Sequence, residues 1–181
     1  MNHQLLKPLM NQKPTLIFCD IDTDVITELK NHFSSVKGVS CQVGNLLESA
    51  TNVVISPANS SGFMDGGIDN DYASFFGEGL QTKVLERVRS RPGGYLPVGA
   101  SELIETDHKK IPYLILAPTM LHPEMIPSYN VFRAFRAALK CILKHELDYP
   151  IFTPGFGTGV GGVEPDEAAK MMFEAYRSVY G

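Results

Sequence analysis

Apolar positions along the chain change their period from segment to segment, and the changes predict alternating strands and helices. Residues 15–19 (TLIFC) form a short apolar run of β-branched and aromatic side chains led by Pro14, the pattern of a buried strand. Over 23–33 the spacing becomes helical: Val25, Ile26, Leu29 and Phe33 share a face, Asp22 or Thr23 can cap the start, Lys30 sits near the end and Gly38 stops it. Residues 39–43 and 52–56 (NVVIS) read as the next strands, and 57–67, rich in Pro, Asn, Ser and Gly, as a loop. Helical spacing returns at 72–76 and at 80–88, where Leu80, Val84, Leu85 and Val88 align. Residues 91–94 (RPGG) mark a turn, and 100–106 and 113–117 predict neighbouring strands. The clearest helix is 128–147, with Val131, Phe132, Phe135, Leu139, Ile142 and Leu143 recurring at three and four. A strand at 150–153, a glycine-rich loop and a last helix from Glu164-Pro165 complete the pattern; Pro165, Asp166 and Glu167 suit a first helical turn.

Apolar strands between amphipathic helices predict an α/β fold in three layers, α/β/α, with a mixed central sheet. There is no repeat, low-complexity stretch or linker, so 1–181 reads as a single domain, with 1–13 as a polar lead-in. On spacing, Tyr129, Phe132 and Phe135 are expected in the core, and Phe63, Phe75 and Phe76 are expected to pack the first loop and helix onto it.

Composition narrows the function classes. Apolar residues at 44% and charged residues at 20% are globular values. A net charge of -4 argues against a general nucleic-acid coat, which needs a basic surface, but allows a nucleotide in a pocket. No apolar run is long enough to span a bilayer, and the N-terminus lacks the apolar core of a signal peptide. Cys19, Cys41 and Cys141, odd in number and far apart, suit free thiols in a reducing cytoplasm. Neither CxxC nor HExxH occurs, which leaves a structural zinc site little support, and no metal or cofactor is expected. His122 reads as a surface or cleft-rim residue, and His108 and His145 as solvated.

Chemistry is expected where irregular backbone follows the ends of buried strands. Two such loops stand out. One follows NVVIS as PANSSGFMDGGID; the other follows IFT as PGFGTGVGG, with five glycines between Gly155 and Gly162. Glycines let backbone N–H groups converge on a phosphate, and a following helix N-terminus adds its dipole. The spacing of Gly157, Gly159 and Gly162 also fits GxGxxG, but only 19 residues follow Gly162, too few for the βαβ unit of a dinucleotide fold. A P-loop fails because no Lys-Ser/Thr pair follows the glycines.

In both loops and their order the chain resembles the macrodomains. VVISPANSSGFMDGGID resembles the strand, NAAN and glycine run of that family, GTGVGG its STGVFG phosphate loop, and LPVGAS…YLILAPTM its CPTGEA…YVIHTVGP stretch. The strand and helix that usually close a macrodomain resemble residues 14–34 here, at the front, so the resemblance implies a circularly permuted macrodomain; surface termini make such a rearrangement physically permissible.

Macrodomains bind ADP-ribose, and the resemblance implies a role for each matching position. Asn59 would bond the ribose distal to adenine, and Gly66 and Gly67 would let the ligand approach the backbone. Gly157, Thr158, Gly159, Val160 and Gly161 would wrap the diphosphate, with Ile68 and Val160 closing over it and Leu46 and Ala58 lining the same cleft. Asn45 stands for the Asp that contacts the adenine amino group; its amide oxygen accepts without charge. Ile21 and Asp22 occupy the place of an aromatic–polar pair beside adenine, which removes stacking. Gly161 replaces an aromatic, which should open the distal end of the cleft. Asp69 falls where hydrolytic members carry their catalytic Asp, and a carboxylate there activates water, although the helix dipole alone would also favour it. Asp65 replaces a glycine and is either a second acid–base group or a solvated turn residue.

The implied function is an ADP-ribosyl hydrolase acting on protein, nucleic acid or O-acetyl-ADP-ribose, with Asp69 and Asn59 as its catalytic residues. The alternatives are a non-catalytic ADP-ribose reader, or a binder of another phosphate-containing nucleotide. A cytoplasmic monomer is expected.

Overall fold

The structure is a computed structural model and describes residues 13–181; the polar lead-in, apart from Lys13, lies outside the described residues. The elements run β1 (Leu16–Asp20), α1 (Thr23–His32), β2 (Val39–Val43), α2 (Leu46–Ser49), β3 (Val53–Ser56), α3 (Gly67–Phe76) and α4 (Glu78–Arg89). A 3-10 turn at Pro92–Gly94 leads to β4 (Glu102–Glu105), β5 (Tyr113–Leu116), α5 (Ser128–Lys144), β6 (Ile151–Thr153) and α6 (Pro165–Tyr180). The periodicity placed every one of these except α2, a four-residue helix too short to show a period.

The strands form one six-stranded sheet in the order β2-β1-β6-β3-β5-β4. Every pair is parallel except β4 with β5. Alternation along the strands divides the core in two, because successive side chains point to opposite faces. Leu16, Phe18, Val53, Ile55 and Ile115 pack with α1, α5 and α6, around Phe135 and Tyr176. Cys19, Val54, Leu114 and Leu116 pack on the other side with Leu46 and Leu47 of α2, Tyr72 of α3 and Val84 of α4. The result is the α/β/α sandwich with a mixed sheet that the sequence predicts.

Several side chains depart from the spacing. Tyr129 is 60% exposed and stacks on half-buried Phe132 at 5.2 Å, while Val131 and Phe135 hold the inner face of α5. Phe63 and Phe75 are also exposed. On α3 the inner face is taken by Tyr72, so Phe75, three residues on and rotated from it, packs edge-on against Phe76 and beside His108. His108 is accordingly half-buried, and its Nδ1 accepts from the Ile111 N–H.

Candidate functional site

Five parallel strands, β1, β2, β3, β5 and β6, end on the same side of the sheet, and their loops enclose a cleft of about 910 Å³, within the range of small-ligand sites. Its lining contains every site residue expected from the sequence: Ile21, Asp22, Asn45, Leu46, Ala58, Asn59, Asp65, Gly66, Gly67, Ile68, Asp69, Gly157, Thr158, Gly159, Val160 and Gly161. Sequence reasoning passed over Asp20, Phe75, Thr119, Met120 and Pro123, which also line it. The signal for Thr119 and Met120 was the APTM segment following β5, which the resemblance already covered.

The glycine loop after β6 is built to present N–H groups. The Gly162 N–H closes onto the Gly159 carbonyl and the Val163 N–H onto the Gly157 carbonyl. The N–H groups of Gly157, Thr158, Gly159, Val160 and Gly161 have no acceptor among the described residues. A consecutive run of such donors forms an anion nest. Glycine is required at two of these positions. Gly157 has φ +76°, and a Cβ there would meet Val131 Cγ2 at 2.6 Å. A Cβ on Gly161 would meet the Gly157 carbonyl oxygen at 2.6 Å and Ile126 at 3.0 Å. Ile126 therefore backs the loop where the aromatic is missing, and Gly161 itself is buried.

Asp20 explains how this loop is held. At the end of β1 its Oδ2 accepts from the Gly155 N–H at 3.0 Å and its Oδ1 from the Asp22 N–H at 3.0 Å. Asp22 is the N-cap of α1, accepting from the Asp24 and Val25 N–H groups. Ile21 between them is 79% exposed at the rim. Asn45 caps α2, its Oδ1 accepting from the Leu47 N–H at 3.0 Å. The remaining lone pair of that oxygen and the amide N–H₂ are what it offers the cleft.

The loop after β3 is clipped by its own polar side chains. Asn59 Nδ2 donates to the Phe63 carbonyl at 2.7 Å, and its Oδ1 accepts from the Ser61 N–H. Gln81 of α4 accepts from the Met64 N–H and donates to the Gly62 carbonyl. The loop then enters α3, whose N-cap, Gly66, supplies no side-chain bond. The helix thus opens into the cleft with its first N–H groups unsatisfied by a cap, a second place for an anion.

Asp69 lies in the first turn of α3, 5% exposed, and accepts from Ser56 Oγ. Alternation along β3 turns Ser56 to the same face as Val54, the face that α3 covers. Burial pushes the Asp69 carboxyl up to about 7; the Ser56 hydrogen bond holds it down and the nearby Asp65 charge adds to the rise. Asp65 is exposed on the loop and lines the same cleft.

A glycine loop and a second loop before a helix N-terminus, both at the carboxyl ends of parallel strands, define an α/β protein with its cleft at the strand ends. The chain belongs to the Macro domain family, which matches residues 55–172. An uncharacterized protein of Aquifex aeolicus (strain VF5) is 36% identical over 135 residues, covering 74% of this chain and 78% of that one. An Oceanobacillus iheyensis macrodomain solved with ADP superposes at TM-score 0.64 and 23% identity, over 76% of this chain and 74% of its own. Thermosipho africanus DarTG, solved in complex with ADP-ribose, gives 0.58 and 15%, over 88% of this chain and 50% of its own. At these identities the two solved structures establish the fold.

Proposed function

We propose that this protein binds ADP-ribose in the cleft and hydrolyses ADP-ribosyl bonds with a water activated by Asp69. The observation that carries the reading is a buried carboxyl, pushed up to about 7 by burial, lining the same cleft as Asn59 and as a loop whose five consecutive N–H groups have no acceptor among the described residues. A general base works best when its pKa lies near the working pH. The N–H groups would take the diphosphate, and the α3 N-terminus, Gly66 and Gly67 the distal ribose. Oxygen from water bonds to C1″ as the bond from C1″ to the acceptor breaks, its electron pair leaving with the acceptor atom. Asp69 takes the water proton and passes it to that atom. Solved macrodomains holding ADP and ADP-ribose support the ligand class.

The reader alternative is favoured by one observation: both ends of the Asn59 amide already serve the loop. One assay separates the two. ADP-ribosylated peptide, ADP-ribosylated oligonucleotide and O-acetyl-ADP-ribose are incubated with the protein, free ADP-ribose is measured, and ADP-ribose affinity is determined by calorimetry. We expect release, reduced about a hundredfold or more in Asp69→Ala. Binding without release makes the protein a reader, and absence of binding leaves another phosphate-containing ligand.

We also read the fold as a circular permutation. β1, first in sequence, lies inside the sheet between β2 and β6, where the family's closing strand belongs by resemblance. Three free cysteines support a reducing, cytoplasmic setting.

A further inference from the structure

Ser56 has no part in the reading above beyond its bond to Asp69, yet it is fully buried and polar at the end of an otherwise apolar strand. A hydroxyl in such a place is retained for its partner, since an unpaired one costs stability. Two bonds fix the start of α3 over β3. Ser56 donates to Asp69, and Tyr72, three residues along the helix, donates to the Ile55 carbonyl at 2.8 Å. The helix thus has an anchor on β3 besides the Ser56 bond.

We propose that Ser56 is a positioning residue that aims the Asp69 carboxylate and, against the opposing Asp65, sets the pH at which it works as a base. The proposal rests on the hydrolase reading for its kinetic consequence and on the buried Ser56–Asp69 bond for its physical one. Donated to Oδ1, the hydroxyl proton leaves Oδ2 as the oxygen able to accept a proton from water and favours the charged carboxylate. The nearby charge of Asp65 disfavours it. The other groups around this point are the Tyr72 phenol on α3 and, beyond it, Asp20 and Cys19 of β1 and Asp71 of α3, all of which act electrostatically on Tyr72. Ser56 and Asp65 are thus the two side chains whose removal moves Asp69 in opposite directions.

The test measures the pH profile of kcat for ADP-ribose release, and in parallel titrates the Asp69 carboxyl by carbon-13 NMR in the free protein. In the wild type both midpoints should fall near 7. Ser56→Ala should move both upward and cut kcat several-fold at pH 6, with recovery toward wild-type rates at high pH. Asp65→Asn should move the NMR midpoint downward. Tyr72→Phe, which breaks the other anchor, should lower the melting temperature while leaving the midpoint in place. A Ser56→Ala protein whose Asp69 titrates as in the wild type, or whose kcat falls equally at every pH, overturns the proposal. A wild type that releases no ADP-ribose defeats the hydrolase reading instead, and the NMR titration still decides whether Ser56 tunes Asp69.

Discussion

Asp69 shows how one buried side chain couples stability to pH. In the unfolded chain its carboxyl has the ordinary value near 3.8, while in the fold it holds its proton up to about 7. Between those values the folded state binds a proton that the unfolded state has released, so stability is complete below about pH 4. It is lost as pH rises through 7 and does not return above it. Asp69→Asn keeps a hydrogen-bonding group opposite Ser56 and removes the titration. The variant should therefore be more stable than the wild type at pH 8, by at most about 4 kcal/mol, with the gap closing toward pH 4. Thermal melts at the two pH values check this; an equal gap at both would contradict it. The same substitution should abolish ADP-ribose release, an exchange of function for stability common at active sites.

The helices and loops illustrate what periodicity can and cannot read. α5 was legible because its apolar positions recur over four turns, yet Tyr129 and Phe132 share that spacing and stack together at the flank. The glycine loop was legible as part of the cleft because five glycines exceed what a turn needs. Why each glycine is there was not: Gly157 is demanded by a helix residue, Val131, and Gly161 by the loop's own carbonyl. Gly161→Ala should accordingly push the loop apart at Gly157 and disorder the N–H run. We expect ADP-ribose affinity to fall at least about tenfold, or roughly 1.4 kcal/mol, in calorimetry, with the melting temperature changed by only a few degrees. Unchanged affinity would show that the run does not hold the diphosphate. Asp20, whose carboxylate ties β1 to this loop, gave no sequence signal, because its partner Gly155 lies in a loop far along the chain.

At the scale of the whole molecule, parallel pairing brings β1, β2, β3, β5 and β6 to a common end, and the cleft lies there. Under the permutation reading, chain order is incidental to that arrangement. Moving residues 14–37 behind Gly181 through a flexible linker should leave a folded protein with the same far-UV spectrum and ADP-ribose affinity. Removing them without replacement should abolish cooperative unfolding, since β1 carries Leu16 and Phe18 in the core and α1 packs on α6. A relocated segment that fails to restore folding would refute the reading. Among the described residues no helix is long and apolar enough to cross a membrane.

The sequence by itself determined the layers, every element but α2, and both loops that line the cleft, because hydrophobic period and glycine clustering are local properties. It also placed Asp69, through a short motif. Only the tertiary structure decided the state of that residue. Burial beneath α3, the Ser56 hydroxyl and the charge of Asp65 act through space, and desolvation depends on everything packed around a group and not on its neighbours in the chain.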